Sequence, residues 1–119
     1  MTTPVIVRVF DIVGSPLCVS AEDGQRVFDK IAPLMREGRN VELSFDRVET
    51  LISLFLNAAV GQLYGEFKED QIRDLLSVRD MDAEDTATLK RVVENAKKYF
   101  SNPKPYDEAW KEEMGDEEE

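Results

Sequence analysis

The most informative stretch of the sequence, residues 41–64, passes from a strand pattern to a helix pattern. Residues 41–45 alternate apolar and polar side chains, which is typical of a half-buried strand. After a short turn, residues 51–64 repeat apolar side chains at helical spacing, and Thr50 is the predicted N-cap. The side chains predicted to face the core are Ile52, Phe55, Leu56, Ala59, Val60 and Leu63. The stretch therefore predicts a strand, a turn and an amphipathic helix.

The side of helix 51–64 that points away from this stripe carries a leucine among small residues. It is either an ordinary solvent-facing side or a shallow docking face, because single exposed apolar residues are common. A docking face would bind a protein partner or a second copy of the chain. The residues that a regular helix places on or beside this outer side are Ser53, Leu54, Asn57, Ala58 and Gly61.

The N-terminal part of the chain predicts two strands and a helix. Residues 5–13 are rich in β-branched side chains, with apolar residues on both faces, so we expect a strand that is at least partly covered on both faces. A turn signal at 14–16 precedes a short strand at 17–19, which is predicted to form a hairpin with the first strand. Ser20 is the predicted N-cap of a helix that ends near Gly38.

The C-terminal part predicts a helical turn, a strand and a long helix. The helical turn is expected at 71–75, and the alternation of residues 76–79 predicts a strand. Asp82 is the predicted N-cap of a helix from Ala83 to about Phe100. The core stripe of this helix is predicted to be Leu89, Val92, Val93, Ala96, Tyr99 and Phe100. The predicted fold class is α/β (α+β), in the order β-β-α-β-α-β-α, with about four strands in a mixed sheet and three main helices.

The acidic charge of the chain is concentrated at its C-terminus. The net charge is −10, and residues 107–119 contribute −7 through eight acids and one base. We therefore predict a folded domain at 4–102 and a flexible acidic tail at 103–119. An acidic chain argues against direct binding to nucleic acid and to anionic membranes. Within the tail, Tyr106 and Trp110 would lie on one side of a helix, as expected of a motif that binds a basic groove on a partner. The alternative is that both aromatics pack back on the domain or make no contact.

The residue inventory excludes most catalytic and metal chemistry. With no histidine and one cysteine, the chain cannot build the usual zinc sites or the Ser-His-Asp and Cys-His arrangements. Cys18 is interpreted as a packed side chain. Asp80 and Asp82 could hold a divalent cation, although a helix cap is the favoured role for Asp82. No catalytic residue, metal site or cofactor is predicted, and the chain is interpreted as a non-enzyme.

The sequence carries no sign of export or of membrane insertion. It has no apolar run near the roughly 18 residues that a membrane span requires. Its N-terminus lacks the basic and long apolar segments of a signal peptide. A single cysteine allows no internal disulfide. A cytoplasmic location is expected.

Several short segments follow the pattern of a known family. They are Ser44-Phe45, Val48-Glu49, Ser53, Phe55-Leu56 and Val60-Gly61. Together with the order of elements over roughly residues 5–100, they resemble the STAS-like domain family of bacteria and phages (the DUF4325 type). That family is distantly similar to the STAS domains of anti-sigma-factor antagonists. The resemblance implies a STAS-like fold and a non-catalytic regulatory role in protein binding.

The same resemblance raises the question of a phosphorylation switch. In regulatory STAS domains, a serine at the start of the matching helix is phosphorylated by a partner kinase. The regulatory serine pair aligns with Ser53 and Leu54, so a leucine occupies the position that usually accepts phosphate. Ile52 stands where an aspartate precedes the pair, and Ser44 stands where the family often has aspartate. These departures argue against a switch, whereas the docking surface is expected to remain.

Two functions from different classes follow from the sequence. The first is the docking of an unidentified protein partner through the outer side of helix 51–64. The second function is inhibition: a small acidic protein, of the sort that a phage encodes, would mimic nucleic acid and block a DNA- or RNA-binding complex of the host. A homodimer formed through the same outer side is a third alternative.

Overall fold

The described part of the chain, residues 3–101 of this computed structural model, alternates short strands with helices. In chain order the elements are β1 (Val5–Arg8), α1 (Val9–Val13), β2 (Leu17–Cys18), α2 (Ala21–Arg36), β3 (Val41–Ser44), β4 (Thr50–Leu51), α3 (Ser53–Leu56), a π-helical segment (Asn57–Gly61, called the π segment), α4 (Leu63–Glu66), α5 (Glu69–Leu75), β5 (Leu76–Arg79) and α6 (Ala83–Ser101).

The main sheet has three strands in the order β1-β3-β5, and both pairings are parallel. Ser44, the last residue of the central strand, lies between Arg8 and Arg79, the last residues of its neighbours. The α/β class predicted from the sequence agrees with this architecture. The predicted strand count and mixed sheet are wrong, because the described residues form five strands that pair only in parallel.

The two shortest strands form a separate small sheet. β2 pairs in parallel with β4, with Cys18 opposite Leu51, and does not form a hairpin with β1. The predicted strand 5–13 ends at Arg8, because the chain then turns into α1, which Gly14 ends in the left-handed conformation (φ +77°). The β-branched composition favoured a longer strand, but such preferences are weak and tertiary packing overrides them.

The main sheet is covered on one face and open to solvent on the other. Val7, Val41 and Leu43 are buried on the covered face. Ile6, on the opposite face, is 55% exposed, so the predicted cover on both faces of the first strand is wrong. Parallel sheets are usually covered on both faces. Here the open face is largely polar: apart from Ile6, it includes Arg8, Glu42, Ser77 and Arg79. Arg79 and Glu42 form an ion pair on this face.

Helix α2 follows the sequence prediction closely. The Ser20 hydroxyl oxygen accepts a hydrogen bond from the Asp23 amide at 3.1 Å, which satisfies one of the free donors of the first turn. Val27, Ile31 and Met35 are buried along the side that faces the core. This stripe therefore packs α2 against the other buried residues of the domain.

The helix after β3 begins later than predicted and is not regular. Thr50 belongs to β4 and is not an N-cap, and Ile52 precedes α3 without a capping side chain. After one α-helical turn the helix widens, because the Gln62 amide donates a hydrogen bond to the Asn57 carbonyl five residues earlier, at 3.2 Å. Phe55, Leu56, Ala59, Val60 and Leu63 are buried as predicted, whereas Ile52 is exposed.

The C-terminal elements confirm the predicted turn, strand and long helix. The predicted turn at 71–75 is part of α5, and β5 follows it directly. Asp82 caps α6, since its carboxylate accepts a hydrogen bond from the Asp85 amide at 2.8 Å. Val92 and Ala96 are buried on the predicted stripe, but the aromatic residues of its last turn, Tyr99 and Phe100, are partly exposed. Their exposure matters for the site described below.

Candidate functional site

Four large apolar side chains are exposed around the start of α3. They are called the apolar patch: Leu17 (48% exposed), Val19 (43%), Ile52 (37%) and Leu54 (52%). Large apolar side chains are usually buried in the core, although a single exposed one is common and needs no explanation. Four of them close together form an exposed apolar surface, which is more than the isolated exposed residues that are common in folded proteins.

The small β2–β4 sheet brings three members of the patch together. Successive side chains of a strand point to opposite faces, and the buried Cys18 lies between the exposed Leu17 and Val19. The Ile52 amide donates to the Cys18 carbonyl at 3.2 Å, which continues the pairing of β2 with β4 and sets Ile52 next to Val19. One face of this small sheet therefore closes the core, while the other is apolar and open.

Leu54 extends the patch onto the first turn of α3. The next two residues, Phe55 and Leu56, are fully buried, so Leu54 points to the opposite side. The Cα–Cβ bonds of a helix tilt towards its N-terminus, which directs Leu54 back towards Ile52. The patch therefore includes residues of both the small sheet and the helix, with the exposed Ser53 between Ile52 and Leu54 in the sequence.

The structure places the predicted outer-side residues in three different environments. Ser53, Leu54 and Asn57 are exposed. Ala58 is half-buried and faces α2, since a Cβ atom placed on Gly24 would lie 2.8 Å from the Ala58 Cβ.

Gly61 does not lie on the outer side and is buried. A Cβ atom at this position would lie 3.7 Å from Val92 and 3.9 Å from Ala96, because α6 covers this side of the π segment. The helical periodicity identifies one buried stripe but cannot show that a second helix covers another side. The predicted Tyr106 and Trp110, with the tail 103–119, lie outside the described residues.

Leu17, Val19 and Ile52 were missed by the sequence prediction of the docking face. Ile52 was predicted to face the core, and the strand at 17–19 was assigned to a hairpin. The alternation Leu17-Cys18-Val19 was the available signal, because it puts two apolar side chains on the face opposite Cys18. Whether that face is exposed beside Ile52 depends on the pairing of β2 with β4, which joins residues about 33 positions apart.

A groove separates the end of α6 from the π segment. Its volume is about 450 Å³, and its lining is mainly apolar. The residues that line it are Asn57, Gly61, Gln62, Asn95, Ala96, Lys98, Tyr99 and Phe100. Asn57 is thus shared between the exposed part of the predicted outer side and this groove.

The two aspartates considered for a cation site have separate structural roles. Asp80 accepts a hydrogen bond from the buried Ser44 hydroxyl at 2.8 Å, and Asp82 caps α6. Asp80 adopts the left-handed conformation (φ +63°), which aspartate tolerates better than most residues. Within residues 3–101, no group of three His, Cys, Asp or Glu side chains is arranged to hold a metal ion.

Cys18 lies beneath the apolar patch and is fully buried. Burial, and to a smaller extent the carboxylates of Asp23 and Asp85, raise the pKa of its thiol to about 11. The thiol is therefore protonated near neutral pH, and the side chain is a packed residue and a poor nucleophile.

The family model described as a STAS-like domain of unknown function (DUF4325) matches residues 23–86, which is more than half of the chain. The chain belongs to this STAS-like family. The resemblance inferred from the sequence is thereby confirmed. The match includes β3, β4, α3 and the π segment. Of the apolar patch, Ile52 and Leu54 lie within the matched residues, whereas Leu17 and Val19 lie before them.

Neither a curated protein nor a solved structure matches the chain. Among the helices of residues 3–101, none combines the length and the apolar character that crossing a membrane demands.

Proposed function

We propose that this STAS-like domain is a non-catalytic regulatory module that binds a protein partner through the apolar patch. The observation that carries the proposal is the joint exposure of Leu17, Val19, Ile52 and Leu54 on a surface built from two elements. Burial of apolar surface is the main driving force of protein association, and a few central side chains supply most of it. Leu54 lies in α3, is the most exposed of the four side chains, and is the proposed centre of the interface.

The polar neighbours of Leu54 suit a role at the edge of such an interface. Ser53 and Asn57 are exposed on the same helical run, and their side chains can hydrogen bond to a partner. With leucine at position 54, the centre of the surface has no hydroxyl that a kinase could modify. We therefore expect binding that does not depend on phosphorylation of this position.

The test uses the full chain immobilised as bait in a bacterial lysate, with two substituted baits beside it. Leu54→Asp places a charge at the proposed centre and should lower the recovery of the partner by about tenfold or more, since burying an unpaired carboxylate is costly. Ile6→Asp is the matched control, because Ile6 is equally exposed but lies on the open face of the main sheet. This control should retain the partner.

Thermal melts of both variants show whether either substitution perturbs the fold. A partner that the folded Leu54→Asp bait retains in full would contradict the assignment of the site. If the full chain instead has twice its monomer mass in solution, and Leu54→Asp restores the monomer, the occupant of the patch is a second copy.

The acidic inhibitor that mimics nucleic acid is the alternative function, and the charge of −7 over residues 107–119 favours it. Binding of this kind depends on long-range attraction and weakens steeply with salt. A partner that Leu54→Asp retains and that moderate salt releases would therefore support the alternative. A partner that withstands salt and depends on Leu54 would support docking through the patch.

A further inference from the structure

We propose that the groove between α6 and the π segment is the binding site of the chain's own C-terminal segment, with Trp110 as its anchor. This inference goes beyond the proposed function and does not require a partner at the apolar patch. It rests on the shape and lining of the groove, on the position at which the described chain ends, and on the composition of residues 102–119.

The groove has the size and lining that an aromatic side chain requires. Its volume of about 450 Å³ lies in the usual range for sites that bury most of a small ligand. Gly61 and Ala96 line the groove with little or no side chain, so this part of its surface is shallow and free of polar side-chain groups. Tyr99 and Phe100 supply an aromatic wall, with ring centroids 4.8 Å apart in an edge-to-face arrangement.

Polar groups in the lining complement the polar parts of Tyr106 and Trp110. Asn57 and Asn95 line the groove and carry amide groups that can accept or donate hydrogen bonds. A buried indole N–H or phenol O–H usually requires such a partner. Lys98 also lines the groove, and its ammonium group can face the acids that surround Trp110 in the sequence.

The connection to the groove is short. The described chain ends at Ser101, directly after the groove residue Phe100, and Trp110 follows nine positions later. Nine residues span at most about 32 Å, which is ample for a return to the last turn of α6. The sequence Asn102-Pro103-Lys104-Pro105 favours a turn over a continued helix. Such a tether gives effective concentrations in the millimolar range, so even weak contacts keep the site occupied.

The charge of the groove is complementary to the charge of this occupant. The acids of 107–119 outnumber the bases by seven, and the groove side of α6 carries Lys98. The contact is therefore expected to combine aromatic burial with attraction at the rim. Salt should weaken it in part only, since apolar contact contributes most of the binding.

The experiment uses Trp110 as a reporter, because it is the only tryptophan of the chain. The emission maximum and the acrylamide quenching constant are measured for the full chain and for a free peptide of residues 102–119. If Trp110 occupies the groove for half of the time or more, its quenching constant should be at least about twofold lower in the full chain than in the peptide. Its emission maximum should also lie at a shorter wavelength. Equal quenching of the chain and the peptide would overturn the proposal.

Substitutions in the groove then locate the contact. Lys98→Glu and Phe100→Ser should each raise the quenching constant towards that of the peptide. Lys90→Glu is the matched control, because it makes the same charge change on α6 at an exposed residue that does not line the groove. Protection that survives both groove variants would place Trp110 elsewhere and refute the site.

Dilution separates the chain's own tail from the tail of a second copy. A tethered segment gives the same quenching constant over a hundredfold range of protein concentration, whereas exchange between copies loses protection on dilution. The first result supports the proposal, and the second overturns it. Neither result depends on the apolar patch, so this proposal and the proposed function can fail independently.

Discussion

Gly24 of α2 packs directly against the carbonyl oxygen of Phe55. A Cβ atom on Gly24 would lie only 2.4 Å from that oxygen, and 2.8 Å from the Cβ of Ala58. The absence of a side chain therefore permits α2 to approach α3 and the π segment at this point. The contact positions the helix that carries Leu54, and so connects the core to the candidate site.

We predict that Gly24→Ala destabilises the domain by about 1–3 kcal/mol. Alanine is favoured over glycine within a helix by about 1 kcal/mol, but the new methyl group would overlap a backbone oxygen that cannot move freely. Gly61→Ala is the matched control, because its Cβ atom would meet its nearest neighbours at 3.5–3.9 Å, an ordinary contact distance. Chemical denaturation of both variants measures the difference. Equal stability of the two variants would contradict the close packing at Gly24.

The Cys18 thiol should not react with a thiol reagent in the native protein near neutral pH. Its burial and its raised pKa, about 11, both oppose formation of the reactive thiolate. After unfolding in guanidinium, one equivalent of reagent should react at once, because the chain has a single cysteine. Leu17→Cys in a Cys18→Ala background is the control, since position 17 is exposed and should react in the native state. Fast labelling of native Cys18 would show that the small β2–β4 sheet opens readily.

Ser44→Ala should destabilise the domain by about 1–3 kcal/mol. The Ser44 hydroxyl is buried, donates a hydrogen bond to Asp80 at 2.8 Å and accepts one from the Asp46 amide at 3.3 Å. Its removal leaves two polar groups without this partner. Ser77→Ala makes the same chemical change at an exposed position of the adjacent strand and should change stability by no more than about 0.5 kcal/mol. Urea unfolding of both variants tests the contrast.

Glu66 should lose its proton at a lower pH in the native protein than in the unfolded chain. A hydrogen bond from Arg36, supported by its charge, lowers the pKa of this carboxyl group. Because the pKa of Glu66 is lower in the native protein, the Arg36–Glu66 contact stabilises the fold at pH values above the pKa of Glu66 in the unfolded chain. This stabilisation is lost as the pH falls through the native pKa. Because both side chains are at the surface, the effect on stability should be small.

The measurement for Glu66 is an NMR titration of its carboxyl carbon. In the native protein the titration midpoint should lie below the ordinary value for glutamate, and Arg36→Gln should raise it. Asp29→Asn leaves the Arg36–Glu66 contact in place and serves as a control for the loss of a nearby charge. A midpoint that Arg36→Gln leaves unchanged would show that the hydrogen bond does not persist in solution.

Local features of the chain were predictable from the sequence. The caps Ser20 and Asp82 were identified correctly, as were β3, β5 and the extent of α2, because a cap or a hydrophobic period depends only on residues a few positions apart. The family was also recognised, since its characteristic segments lie within the short run from Ser44 to Gly61. The sequence likewise singled out Leu54 as an apolar side chain that turns away from the core.

Only the tertiary structure decided which elements meet. The pairing of β2 with β4 exposes Ile52 beside Val19, and the packing of α6 on the π segment buries Gly61. Neither relation follows from a periodic pattern, because each joins residues about 30 positions apart whose contact depends on how the whole chain folds. The amino-acid sequence by itself thus determined the caps of α2 and α6, most of the apolar stripes and the charge of this protein. The long-range packing of helices and strands determined which of its apolar side chains remain exposed.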